Sequence, residues 1–385
     1  YSRRTKTIKH QFSDGINYLS NEPGSQDKST FKNLVFRNTL QYQISPTVSL
    51  QPGIDINHEK ATGARIDGTP EINDFAFFVS SEIKPNNTIN IRPGLRFIKN
   101  SVYSAPPVIP SINSKFTLYN NFDLRVAYAY GFRSPALREL YYNFVDANHI
   151  IVGNPHLKAE HSSSFNGSLS CTLPKTKQGH QNVITLSSFY NTFNNLINYA
   201  TSPTSTDTTI TVNIDKYKTT GIMIEDKLQS KNFTASLGFS YIGRYNQLAD
   251  AEGFKNENLP HFMWSPELNA SMIYEFSKTG ASLALFYKFS GKKPGYEAVT
   301  NTSTGAQEIH LTHIDGCHIA DFTINKKLFT YFSVSGGVKN IFNVTQLTNT
   351  STNPDGVHST GAAIDMSYGR SYFIGLSFQL NTKHQ

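Results

Sequence analysis

With two cysteines, one tryptophan and four methionines in 385 residues, the chain is no disulfide-dense scaffold. Cys171 and Cys317 lie far apart and form no CxxC pattern, so two separate, partly buried thiols are the expected state. Charge is scarce as well: 16% of residues are Asp, Glu, Lys or Arg, against roughly 25% in soluble domains. The net charge of +7 is spread over scattered lysines and arginines with no basic run or RNA-binding signature. That gives no support to a nucleic-acid partner and leaves contact with anionic lipid headgroups or an anionic cargo. Apolar runs are short; none approaches the ~18 residues of a membrane helix. An apolar leader is missing too, since residues 1–6 already read as strand, and the chain is expected to begin inside a larger precursor. No GxSxG occurs, and Ser170 and Ser377 have no histidine of matching strand parity nearby. An enzyme is therefore not expected.

Aromatic residues are plentiful: 27 Phe and 20 Tyr. An aromatic-rich, charge-poor chain whose mean hydropathy is nevertheless negative fits a transmembrane β-barrel, in which lipid-facing and lumen-facing residues alternate and cancel. The alternation can be read directly. Ile89, Ile91, Pro93, Leu95 and Phe97 fall on one face of a strand, with Asn90, Arg92, Gly94 and Arg96 on the other. Leu34, Phe36, Leu40, Tyr42 and Ile44 form a second such face, and Tyr372, Ile374, Leu376, Phe378 and Leu380 a third.

Connections alternate in length. Short ones fall near residues 45–46, 84–87, 120–121, 174–181, 230–232, 277–280 and 328–330. Long polar ones fall near 11–30, 60–71, 100–110, 131–158, 199–209, 247–263, 293–315 and 343–366. Short periplasmic turns and long extracellular loops have this asymmetry. The segments between them number sixteen, so parity places the 131–158 loop outside the cell.

That loop carries the most specific motifs, FRSP at 132–135 and NPHL at 154–157. They resemble the paired boxes of TonB-dependent outer-membrane receptors, particularly the FRAP and NPNL boxes of the haem-uptake branch. Residues 188–197, 217–224 and 338–345 are similar to recurrent barrel segments of the same family, and 373–380 resembles the C-terminal targeting strand of outer-membrane barrels. The resemblance implies an all-β, antiparallel transmembrane barrel of which about 16 strands of 22 are present, with the plug domain and first strands missing, so that residues 1–385 are the C-terminal portion. It implies TonB-energised import of a bulky scarce nutrient: haem first, a ferric siderophore close behind, cobalamin third. It also implies partnership with the TonB complex through the plug, a possible surface lipoprotein, and outer-membrane lipid. The cargo is a transported ligand rather than a permanent cofactor. A passive sixteen-stranded porin is the alternative that strand count alone allows.

Within the loop, Pro135 stops the ascending strand because it cannot donate to the ladder. Arg133 either neutralises a wall carboxylate or contacts an anionic cargo. Tyr141, Tyr142 and Phe144 either pack the loop on itself or offer a stacking surface to a planar ligand. Gly153 before Asn154-Pro155 suits a positive backbone angle in a turn that restarts the descending strand. His149 is the candidate axial ligand implied by the haem-receptor resemblance, with His156 in the second box a weaker one. Elsewhere His310, His313 and His318 cluster near Cys317, at a spacing that fits no standard zinc site.

Overall fold

The computed structural model describes residues 2–11, 26–119, 121–145, 150–202, 205–300, 303, 305, 307–351 and 363–379. Sixteen wall strands follow one another as an antiparallel meander. They are β1 (Ser2–Gln11), β2 (Gln26–Thr39, continued by Tyr42–Ser45), β3 (Val48–Gly63), β4 (Glu71–Asn86), β5 (Ile89–Asn100), β6 (Ile109–Tyr119), β7 (Phe122–Arg133) and β8 (Glu160–Thr172). The series continues with β9 (Gln181–Ser202), β10 (Ser205–Gln229), β11 (Phe233–Tyr245), β12 (Phe262–Phe276), β13 (Ala281–Ser290), β14 (Cys317–Lys327), β15 (Phe332–Lys339) and β16 (Ser371–Phe378). Each pairs with the next, from Ser2↔Val35 at one end to Phe332↔Phe378 at the other. Among the described residues the longest α-helix has five residues, Leu137–Tyr141, and no domain stands apart from the wall.

Side-chain alternation sorts the two faces. Leu34, Phe36, Leu40, Tyr42 and Ile44 are exposed on the outer face, as are Phe75, Phe77, Leu95, Phe97, Phe165 and the series Tyr372, Ile374, Leu376 and Phe378. Tyr241 and Trp264 stack there with ring centroids 5.0 Å apart. The opposite face carries polar ladders: Arg37 and Arg96 both bind Asp55, Arg92 and Lys84 bind Glu82, Lys115 meets Asp123, and Arg244 and Lys288 flank Glu267. Apolar-out and polar-in is the division that a strand needs between lipid and an aqueous lumen. The outer position Leu380, in the targeting strand, lies outside the described residues.

Two expected polar loops are strand instead. Residues 199–202 and 205–209 belong to β9 and β10, which stay paired up to Ser202↔Ser205 and reach 22 and 25 residues. Since about 9–11 residues cross a membrane, this hairpin must project well beyond it. Residues 293–315 contain a second hairpin, Lys293–Thr300 with Gln307–Ile314. Both thiols are free, Cys317 buried and Cys171 partly so.

Candidate functional site: the loop between β7 and β8

The two boxes sit on the last rungs of one ladder. β7 and β8 pair from Phe122↔Cys171 up to Arg133↔Glu160, so FRSP leaves the wall where NPHL returns to it. Arg133 caps this ladder: its guanidinium donates to both Glu139 oxygens at 3.1 and 2.9 Å and to Glu160 Oε2 at 3.3 Å. Glu139 also accepts the Ala136 N–H at 2.7 Å, and Glu160 accepts the Ile197 N–H at 3.1 Å. One arginine thus ties the loop helix to two wall strands.

A five-residue helix has almost no stability of its own in water, so Leu137–Tyr141 depends on what it buries. Leu137 and Leu140 join Tyr142, Leu157, Ala61, Ile66 and Ile72 in one apolar cluster, flanked by Phe31, Tyr103, Tyr141, Phe144 and Ile197. Ala61 and Ile72 belong to the inner face of β3 and β4, so the loop folds inward over the mouth of the lumen. Backbone bonds fasten it there: the Asp67 N–H donates to the Tyr141 carbonyl at 3.1 Å and the Asn143 N–H to the Arg65 carbonyl at 2.9 Å. Beyond the helix, Asn143–Val145 pairs antiparallel with Ile150–Val152. The latter runs parallel to residues 208–210 of the projecting β10.

Each proposed site residue has a defined place except one. Tyr142 is buried, 5% exposed, and stacks on Phe144 at 6.4 Å; Tyr141 borders the same cluster. His156 is exposed. Its N–H donates to Asn154 Oδ1 at 2.9 Å, which makes NPHL an Asx-type turn. Asn154 Nδ2 reaches the Thr211 carbonyl at 2.9 Å, while Leu157 is a core residue. His149 lies outside the described residues.

Gly153 serves a different need from the one expected. Its backbone is not in the positive-φ region; instead a Cβ there would stand 2.8 Å from the Leu140 carbonyl carbon and oxygen. Glycine is required because the returning chain presses on the helix backbone.

The histidines grouped in sequence near Cys317 do not converge. His310 faces Glu308 at 3.7 Å, His313 faces Asp315 at 3.3 Å, and His318 Nδ1 meets the Tyr287 hydroxyl at 2.7 Å while stacking on Phe289. Among the described residues no group of three or more His, Cys, Asp or Glu could hold a metal ion. An exposed hairpin and the start of a wall strand separate these rings, a separation that sequence proximity concealed.

Beneath the loop lies a cavity of about 520 Å³ lined by Asn33, Arg37, Asp55, Asn57, Asp74, Arg96, Arg133 and Pro135, among others. Sequence reasoning reached Arg133 and, through alternation, Arg96, but missed Asp55. This buried carboxylate draws Arg37 and Arg96 together at 2.5 and 3.1 Å. The only available signal was a carboxylate on the inward parity of an alternating strand.

Tyr103, in the connection between β5 and β6, closes the loop cluster from the side. Burial, followed by the nearby Tyr141 and Glu139, pushes its hydroxyl up to about 12. A pKa raised above the unfolded value means that the folded state keeps its proton longer, so this contribution is intact below about 10 and lost as pH rises from about 10 to about 12. Protease sensitivity of residues 131–160 is expected to rise across that window, in step with tyrosinate absorbance, and to rise less steeply in Tyr103→Phe. An unchanged slope in Tyr103→Phe would remove Tyr103 from the account.

Residues 1–341 match the family model described as "TonB dependent receptor-like, beta-barrel". Among curated proteins no sequence match is found. Solved structures resemble the fold at low identity. The ferric enterobactin receptor PfeA of Pseudomonas aeruginosa, in a mutant form, aligns with a TM-score of 0.70 and 16% identity, over 98% of this chain and 58% of that one. The siderophore receptor PirA of Acinetobacter baumannii gives 0.69 and 15%, over 98% and 59%. The FrpB iron transporter of Neisseria meningitidis gives 0.66 and 14%, over 97% and 59%. The chain thus spans a little under three-fifths of the length of these receptors. Boxes, polarity pattern and family model agree: this chain belongs to the TonB-dependent receptors, and it carries their antiparallel β-barrel fold.

Proposed function

We propose that this chain is wall and loop of an outer-membrane receptor that imports a ferric chelate under TonB control. The observation that carries the reading is the structured loop folded inward over a polar cavity, on a wall that is apolar outside. Such a loop narrows the mouth, which suits capture of a scarce bulky ligand better than free diffusion through a porin. Solved structures of the same fold are named for ferric enterobactin, a siderophore and iron, and this favours a ferric chelate over haem or cobalamin. Haem ranked first only while His149 and the box resemblance stood alone. In the cavity lining Arg37, Arg96 and Arg133 are offset by Asp55, Glu59 and Asp74, so recognition rests on directed hydrogen bonds rather than a strong net field.

In this reading the sixteen strands form part of a 22-stranded barrel closed by strands from elsewhere in the protein. A plug within it contacts the TonB complex, and a surface lipoprotein can deliver cargo. Arg133, Tyr141, Tyr142 and His156 act mainly by shaping the loop.

The test is uptake of radioactive iron as a ferric catecholate by iron-starved cells, with the gene intact or deleted and with a protonophore present or absent. Uptake that requires both the gene and the membrane energy supports import. Gene-dependent uptake that survives the protonophore supports the porin, and gene-dependent growth on haem but not on ferric chelates restores the haem assignment.

A further inference from the structure

Three connections that are distant in sequence meet in one sheet above the mouth. Its rungs run in order. Ile66, between β3 and β4, bridges Tyr142, beside the backbone bonds that Asn143 and Asp67 make to the Arg65 and Tyr141 carbonyls. Asn143–Val145 pairs with Ile150–Val152, and these with residues 208–210 of β10. β10 in turn pairs with β9 from Thr201↔Thr209 to Asn198↔Val212. Five segments thus make a continuous ladder from the top of β3 to the projecting hairpin. In the wall, β4 to β8 lie between those two ends, so the ladder is a chord that joins separated parts of the wall.

The chord is tied at both ends and in the middle. At the hairpin end Asn154 Nδ2 holds the Thr211 carbonyl. Asn213 accepts the Lys158 N–H at 2.7 Å and donates to the Lys158 and Asn195 carbonyls at 3.0 and 2.9 Å. Thr209 and Thr211 are buried there, 6% and 2% exposed. The middle stands on the apolar cluster around Leu140. Swinging the loop aside would break these bonds and wet that cluster in the same step. The connections on the other side of the mouth are held differently. The hairpin Lys293–Thr300 with Gln307–Ile314 meets residues 348–350 through two backbone bonds, from the Asp315 N–H to the Thr348 carbonyl and from the Thr350 N–H to the His313 carbonyl. Lys292 and His313 add polar contacts to Asp315, both at 3.3 Å, and none of these residues belongs to the apolar cluster. Solvent-exposed hydrogen bonds with little buried apolar surface open first.

We infer that the five-segment sheet is a fixed lintel. It stays closed as one unit while cargo is imported, and cargo passes beside it, where the connections between β12 and β16 are held more loosely. The inference rests on the import function proposed above.

A disulfide across one rung tests this, made as Ile150→Cys/Thr208→Cys in a Cys171→Ser background. Neighbouring strands lie about 4.8 Å apart, within the roughly 4.4–6.8 Å between Cα atoms that a disulfide spans. Val152→Cys/Ile210→Cys, on another rung of the same pairing, serves if the first pair does not fold or close. Each protein is its own control, oxidised against reduced. Hydrogen exchange of the purified protein reads unity: oxidation is expected to slow the amides of Asp67 and Asn143, at the far end, at least about tenfold, together with those of 150–152. Slowing confined to 150–152 and 208–210 would show independent pieces and overturn the inference. Uptake of a ferric catecholate by iron-starved cells reads fixity: the oxidised protein is expected to import within about twofold of its reduced rate, as a part that does not move sets no rate. Uptake that falls about tenfold on oxidation and returns on reduction would make the sheet a moving lid, and the lintel would be wrong. Wild-type cells that take up no ferric catecholate defeat the functional proposal instead, and hydrogen exchange then decides the unity of the sheet alone.

Discussion

Leu140→Ala is expected to detach the 131–160 loop from the barrel mouth while the wall stays folded. Leu140 is 1% exposed and lies at the centre of the one apolar cluster that the loop shares with β3 and β4. Truncating such a leucine costs about 2–5 kcal/mol, the lost transfer energy plus the cavity left behind. The five-residue helix has no internal reserve to absorb that loss, and local units of this kind open at free energies well below global unfolding. A penalty of this size approaches the whole stability of the docked loop. Limited proteolysis with mapped cleavage sites should find new cuts within 134–158, at a rate raised about thirtyfold or more for each 2 kcal/mol. Migration of the unboiled protein on a gel should still report an intact barrel. Affinity for a ferric catecholate is expected to fall at least about tenfold, because the loop that narrows the mouth no longer holds its position. If cleavage within the loop stays at the wild-type rate, the cluster is not what holds it.

The wall was legible because a strand side chain has only two directions. Arg92 and Arg96 on one face and Leu95 and Phe97 on the other left a single arrangement compatible with lipid, and sixteen wall segments emerged. Signals failed where a strand leaves the membrane and both faces become polar. Residues 205–214, STDTTITVNI, have the serines, threonines and aspartate of a loop. Their alternating Ile210, Val212 and Ile214 and their many β-branched residues were a strand signal, outweighed by polarity. The loop's own boxes were visible but its partners were not. Ile66 and Ile72 sit over sixty residues upstream of Leu140, and nothing local in 131–160 points to them. Gly153 was recognised as necessary for the wrong reason, since close approach to another backbone is a tertiary fact and a turn glycine looks the same in sequence. His310, His313 and His318, whose spacing fitted no standard zinc site, are neighbours in sequence carried onto a hairpin and a wall strand.

Arg133→Gln is expected to weaken ferric catecholate binding about five- to a hundredfold, and the reason can be separated from the size. Removing the guanidinium leaves Glu139 and Glu160 facing each other at the top of the β7–β8 ladder, with the Glu160 side chain only 14% exposed. An under-satisfied buried carboxylate costs about 1–3 kcal/mol, toward the lower end here because Arg133 itself is 43% exposed and partly screened by water. A direct cargo contact would lose a similar amount, so the single variant cannot distinguish the two roles. The triple variant Arg133→Gln/Glu139→Gln/Glu160→Gln can. It removes the cation and both carboxylates together, and its amides can still accept the Ala136 and Ile197 N–H groups. If Arg133 is a tie between loop and wall, the triple variant regains affinity to within a few fold of wild type and its loop returns to wild-type protease resistance. If Arg133 grips an anionic cargo, the loop recovers but the affinity stays as low as in Arg133→Gln. The guanidinium already makes three hydrogen bonds to two carboxylates, leaving two of its five donors for anything else, and the tie is the expected outcome.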